Sequence, residues 1–213
     1  MELAFDSNER YALAFSGGCD SVCLLAEMLS AGVDVRPYYV KTRFQADFEL
    51  EDARLAADLL GVSFETIEAD VLSQEGVRVN GPERCYHCKR FLFGAIRERM
   101  AQDGRTVLAD GTNFSDDPMR RPGMRALSEL GVVSPLREAG WTKEDVRARL
   151  RERGIFTAGK PNFSCYATKV PQGVRLDEES LRIAERGDAA AIAAWEAQRA
   201  KAIGCEAVDE RGR

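Results

Sequence analysis

The sequence predicts an α/β fold: a parallel sheet with helices on both faces, followed by a short helical C-terminal tail. Two observations carry that expectation. Short apolar runs alternate with segments of helical period along most of the chain, the pattern of strands joined by crossover helices. The first apolar run, Tyr11–Phe15, drives straight into Ser16-Gly17-Gly18-Cys19-Asp20-Ser21 and then an amphipathic segment, Val22–Leu29. That is a strand, a tight glycine turn and a helix.

The remaining elements follow in order. Val35–Val40 reads as a second buried strand. Phe48–Leu60 has apolar residues at helical spacing and stops at Gly61. Val62–Ile67 is a third strand and Phe91–Met100 a helix. A fourth strand starts at Thr106–Leu108 and runs into Asp110-Gly111-Thr112-Asn113. Met124–Leu130 is a short helix, and Val132-Val133 a short strand. Thr142–Arg153 is a helix opened by a capping box, Thr142-x-x-Asp145. In the tail, Glu178–Arg186 and Ala189–Ile203 read as two helices joined at Gly187-Asp188. The alanine-rich Ala189–Ala194 calls for a partner surface, such as a second copy of the chain. Residues 1–175 form the expected domain and 176–213 the tail.

Composition narrows the function class. With 213 residues, 45% apolar and 31% charged, the chain can bury a sizeable core and is not disordered. It has no run of eighteen apolar residues to span a membrane, and its first residues, MELAFDSNER, are acidic where a signal peptide is basic. A cytoplasmic protein is expected. Residues 1–70 carry fourteen acidic and five basic side chains, and residues 71–213 twenty-one and twenty-five. The more basic part suits a small anionic second substrate, and solvated helix faces account for the imbalance equally well. It makes no case for a nucleic-acid groove.

The glycine turn is a phosphate cradle. Its glycines let backbone N–H groups approach an anion at the start of a helix, where the dipole favours negative charge. Ser16 and Ser21 add hydroxyls, and Asp20 a carboxylate suited to Mg²⁺ beside phosphate. The Walker A and GxGxxG patterns are both absent. Ligands of parallel sheets bind beyond the carboxyl ends of strands, where this loop and the Asp110–Asn113 stretch both lie. Asp110 and Asn113 either line a nucleotide cleft or shape its turn.

Six cysteines in a cytoplasmic protein are not a disulfide framework. Cys19 and Cys23 fit as small apolar residues beside the loop. Cys85 and Cys88 form a CxxC, and Cys165 lies 77 positions beyond Cys88 in PNFSCYATKVP. Zinc wants four ligands, and the only histidine, His87, sits awkwardly inside the CxxC. A redox pair would leave Cys165 idle. An iron–sulfur cluster with one iron open suits three thiolates. Three unrelated buried thiols remain the plain alternative.

The SGGCDS loop resembles the pyrophosphate loop of the N-type ATP pyrophosphatases, which have an adenine nucleotide α-hydrolase-like (PP-loop ATPase) fold. The run from Asp110 to Pro171 is similar to the LarE-type ATP-dependent sulfur transferases, through DGTN, RPGMRA, ELGVVSPLREAGWTKEDVR and KPNFSCYATKVPQG. This resemblance implies ATP and Mg²⁺, with the nucleotide on Ser16, Gly17, Gly18, Cys19, Asp20, Ser21, Asp110 and Asn113. A carboxylate of a pyridinium mononucleotide would be adenylated and its AMP displaced by sulfur, giving a thiocarboxylate for the nickel-pincer cofactor. Cys85, Cys88 and Cys165 match the three-cysteine members. In those a [4Fe-4S] cluster carries the sulfide, so Cys165 would be catalytic and all three cysteines metal ligands, with zinc the runner-up metal. Arg121, Arg125 and Lys169 are candidates to grip the substrate phosphate. Thr168 and Lys169 stand where the family has Ser and Arg, and Gly159 where it has Asp. The family's small C-terminal domain is expected to be absent or truncated. A cluster-dependent tRNA thiolase of the same fold and a non-catalytic ATP- or metal-binding protein are the rival readings.

Overall fold

A computed structural model describes residues 3–117 and 122–204. Among them, four strands make one sheet: β1 (Arg10–Ala14), β2 (Asp34–Lys41), β3 (Glu65–Glu68) and β4 (Val107–Asp110). Their spatial order is β3-β2-β1-β4, and every pair is parallel. The chain therefore builds outward from β1 and then returns to its other side. That reversal leaves a crevice between the carboxyl ends of β1 and β4, where doubly wound sheets bind ligands. The expected Val132-Val133 strand is reduced to one parallel bridge, Ala109 with Val133, beyond β4.

Alternation along the strands divides the core in two. Tyr11, Leu13 and Phe15 point to one face, with α1 (Cys19–Ser30) and α2 (Asp47–Leu59). Ala12, with Tyr38 and Val40 of β2, faces α4 (Arg84–Gln102) on the other, where Phe93, Ile96 and Met100 close the layer. Successive strand side chains must take opposite faces, so apolar strands demand helices on both. Between α2 and α4 lies a single turn, α3 (Glu75–Arg78). After β4 come α5 (Gly123–Glu129), α6 (Pro135–Glu138) and α7 (Lys143–Glu152). The expected capping box is present at α7: Thr142 accepts from the Asp145 N–H, and Asp145 accepts from Thr142.

Two expectations change. The CxxC was expected between elements, but it lies within the first five residues of α4, which starts seven residues before Phe91. The tail is not two helices; α8 (Glu178–Ala202) runs unbroken through Gly187. A glycine inside a helix costs only about 1 kcal/mol, and packing on both sides offsets that: Leu181 and Ala184 are buried before it. Asp188 pairs with Lys169, and Trp195, 2% exposed, donates its indole N–H to Asp52 of α2 at 2.9 Å. Much of the alanine-rich stretch stays exposed around that anchor.

Candidate active site

The loop after β1 turns at Gly17, whose φ of +68° lies in the left-handed region. A Cβ there would stand 2.7 Å from the Ala53 backbone. Gly18 is the N-cap of α1 and offers no side-chain cap, so the first N–H groups of α1 face the cleft without a side-chain acceptor. Ser21 Oγ accepts from the Ser16 N–H and lies 3.2 Å from Ser16 Oγ. The loop is thus closed on itself by its two serines.

Across the crevice, Asn113 donates its amide N–H to Asp20 at 3.1 Å. Lys143, at the start of α7, places Nζ 2.6 Å from the other oxygen of Asp20. Burial works against the Lys143 ammonium, but hydrogen bonds to Asp20 and to Cys19 prevail and hold its pKa above the ordinary value. Asp110 is buried and used locally: it accepts from Thr112 Oγ1 at 2.5 Å and from Ser134 Oγ at 2.6 Å. It shapes the turn, while Asn113 reaches the loop. Gly111 belongs to the same junction, because a Cβ there would meet the Ser21 backbone N at 2.8 Å.

Three hollows share Asp20. One of about 350 Å³ lies between the loop, Tyr38 and the Phe93–Ile96 face of α4. A small one of about 180 Å³ covers the loop, between Ser16, Glu49, Lys143 and Lys160. The largest, about 700 Å³, runs from Asp20 and Lys143 to Cys85, with Ser164 and Thr168 beside Cys165 in its wall.

Cys85, Cys88 and Cys165 are half-buried and free of disulfides. Cys88 is pushed up to about 12 by burial, to which the charges of Cys165 and then Cys85 add. Burial also pushes Cys165 up, with Arg84 opposing it. The Arg84 guanidinium lies between them, 3.5 Å from Cys85 Sγ and 2.6 Å from the carbonyl of Ala167 in the turn after Cys165. As placed, no three His, Cys, Asp or Glu side chains among the described residues form a ready metal-ligand group. The donor set itself, three soft sulfurs beside a guanidinium that offsets thiolate charge, fits iron–sulfur or zinc chemistry. His87 is exposed, and its ring packs on Gly76 of α3 and Tyr86.

Two of the candidate phosphate grips are engaged with carboxylates. Arg125 pairs with Glu83 and Glu129, and its guanidinium lies 3.9 Å from the Tyr86 ring centroid. Lys169 is paired with Asp188 on the α8 side. Arg121 lies outside the described residues. The cations that do line the hollows are Lys89, Lys143 and Lys160, which the sequence reading did not single out. Lys89 is recoverable in hindsight, one helical turn beyond Cys85. Lys143 follows the capping threonine of α7, but nothing local to Lys160 marks its role.

The strand order, the glycine loop and the crevice it faces define a PP-loop ATP pyrophosphatase domain. No family model matches the chain. It is 30% identical over 175 residues to pyridinium-3,5-bisthiocarboxylic acid mononucleotide synthase of Lactiplantibacillus plantarum, covering 81% of this chain and 63% of that protein. An uncharacterized protein of Methanocaldococcus jannaschii is 29% identical over 175 residues, covering 82% of this chain and 66% of that one. More distantly, the tRNA-specific 2-thiouridylase MnmA of Thermotoga petrophila is 24% identical over 193 residues, covering 71% and 54%. The chain belongs with the LarE-type proteins of the PP-loop superfamily. It spans about two thirds of the length of these first two relatives. No helix among the described residues is long and apolar enough to cross a membrane.

Proposed function

We propose that this protein is an ATP-dependent sulfur transferase that activates a carboxylate of a small mononucleotide, as in the making of a nickel-pincer cofactor. One observation carries the reading: a single cavity of about 700 Å³ is walled at one end by Asp20 of the phosphate loop and at the other by Cys85 and the neighbours of Cys165. Activation and sulfur delivery need such a shared chamber, because the activated acid must meet sulfur before water.

ATP would lie with its phosphates on the Ser16–Ser21 backbone, and Asp20 would take part in holding the Mg²⁺ that neutralises them. A substrate carboxylate oxygen attacks the α-phosphorus and pyrophosphate leaves. Lys143, beside the loop, balances the charge that develops there. A sulfur nucleophile from the thiol side then attacks the acyl carbon, and AMP leaves. A cluster held by Cys85, Cys88 and Cys165 would supply sulfide from an open iron. Arg121, Arg125 and Lys169 remain candidates for the substrate phosphate; Arg125 and Lys169 would have to leave their present carboxylate partners. The reaction suits a cytoplasmic enzyme.

The test is pyrophosphate release from ATP with pyridine dicarboxylate mononucleotide, run anaerobically with iron and sulfide analysis. Expected are acceptor-dependent pyrophosphate and a thiocarboxylate product, with Cys165→Ala retaining ATP binding and losing sulfur transfer. Unchanged product from Cys165→Ala removes that residue as donor. Pyrophosphate released only with tRNA would point instead to a thiolase, and none with any acceptor to a binding protein.

A further inference from the structure

Cys165 sits in a stretch with almost no regular structure, yet the turn that follows it is bonded to the first turn of α4. Two side chains account for this. Asn80, fully buried just before α4, is a non-glycine residue at positive φ, +51°. Its amide nitrogen donates to the carbonyls of Val170, Pro171 and Val174 at 3.3, 2.9 and 3.1 Å. Its own carbonyl accepts from the Gly173 N–H at 2.9 Å. The amide oxygen is taken by Arg84 Nη1 at 2.5 Å. Arg84 Nη1 also donates to the Ala167 carbonyl at 2.6 Å, two residues from Cys165, and Nη2 lies 3.5 Å from Cys85 Sγ. One guanidinium thus touches the CxxC and the Cys165 turn, and one amide ties down the strand of chain that follows.

We infer that Asn80 and Arg84 are positioning residues for the sulfur centre, forming a clamp that sets how closely Cys165 approaches Cys85 and Cys88. This rests on the three-thiol reading above. Asparagine suits the position because it tolerates the left-handed conformation and still offers donors and an acceptor. Glycine would keep the backbone and delete the tether, so Asn80→Gly separates the two roles. Arg84→Gln removes the bridge from α4 to Ala167 with little change in shape.

The test uses arsenite on the metal-free full chain. Arsenous acid condenses with three converging thiols, forming three As–S bonds and releasing three waters, with no change in oxidation state. Uptake by the unaltered chain should need all three cysteines, with Cys165→Ser as the control that breaks it. In Asn80→Gly and Arg84→Gln, arsenite affinity should fall roughly 10–100-fold, the range for losing an outer-shell partner of a ligand set. Affinity for a non-hydrolysable ATP analogue should stay within about twofold, because the phosphate loop is a separate structure. Unchanged arsenite affinity in both variants overturns the clamp and leaves the thiol reading standing. Loss of arsenite and nucleotide binding together overturns it as well, since the residues would then serve general folding. An unaltered chain that shows no uptake requiring all three thiols overturns the thiol reading, and the clamp with it.

Discussion

Lys160 buries its ammonium 2.7 Å from the carboxylate of Asp52, and neither side chain has meaningful access to solvent. The same ammonium lies 3.5 Å from the Gly17 carbonyl, so the phosphate loop rests on a buried ion pair. Asp52 also accepts from Trp195 and from Arg199 of α8, the latter at 2.6 Å. Removing one member of a buried pair strands the other charge, which costs about 3–5 kcal/mol. Asp52→Ala should lose that much in urea unfolding, because it strands Lys160 and the Trp195 indole and leaves Arg199 with Glu51. Lys160→Met should lose less, since two donors to Asp52 remain. Equal losses for the two variants would mean that the pair, not the wider network, sets the energy.

Gly17 and Gly18 look alike in sequence and should behave differently. At Gly17 a Cβ meets the Ala53 backbone at 2.7 Å, and the positive φ adds strain of about 1–2 kcal/mol. At Gly18 the nearest atom to a Cβ is Ser16 Oγ, at 3.3 Å, and φ is negative. Gly17→Ala should therefore weaken binding of a non-hydrolysable ATP analogue by roughly 5–30-fold in calorimetric titration, the range that strain corresponds to. Gly18→Ala should change it by less than about threefold, since one hydroxyl can shift at small cost.

The order of strands and helices was readable because the strands are apolar on both faces and the helices begin or end at recognisable signals, such as Thr142 or Gly61. The phosphate loop was readable because glycine, hydroxyl and carboxylate stand together in six residues. The start of α4 was not: Glu83 caps it without a side-chain bond, and its first turn is Arg, Cys, Tyr and His, with no apolar period. Gly187 was read as a joint because local propensity cannot register that Leu181 and Ala184 are buried before it and that Lys169 and Asp52 hold Asp188 and Trp195 after it. The role of Lys160 is set by Asp52, a residue of a different helix, so no local pattern could reveal it. Arg125 was read as a candidate grip for the substrate phosphate; Glu129 is its i,i+4 neighbour on α5, but Glu83 became a partner only when α5 packed beside the start of α4.

Stability should fall at alkaline pH. Burial pushes Cys23 and Cys88 up to about 12, with nearby anions adding. In the unfolded chain both ionise near their ordinary value of about 8.5. Below that value both states are protonated and the stabilisation is complete. Above it the unfolded state loses protons that the folded state keeps, so stability declines until the pH passes the folded values. The urea midpoint of reduced, metal-free protein should therefore drop progressively from pH 9 to 12. Cys23→Val, at a fully buried site in α1, should flatten that decline. An identical slope in the variant would assign the alkaline limb to other groups.

Asn113 of the β4 loop reaches the phosphate loop through its 3.1 Å bond to Asp20. Asn113 is 2% exposed and spends its amide oxygen on the Ser115 N–H at 2.9 Å, which fixes the direction in which its N–H₂ points. Asn113→Ala should leave Asp20 held by Lys143 alone. A flexible ammonium restrains a carboxylate less than a fixed amide does. Acceptor-dependent pyrophosphate release should fall by roughly 10–100-fold, with a higher Mg²⁺ requirement, as expected for losing a residue that orients a metal ligand. Thermal stability should fall by only about 1 kcal/mol, the worth of one hydrogen bond. If excess Mg²⁺ leaves the rate deficit untouched, Asn113 acts on the nucleotide and not through Asp20.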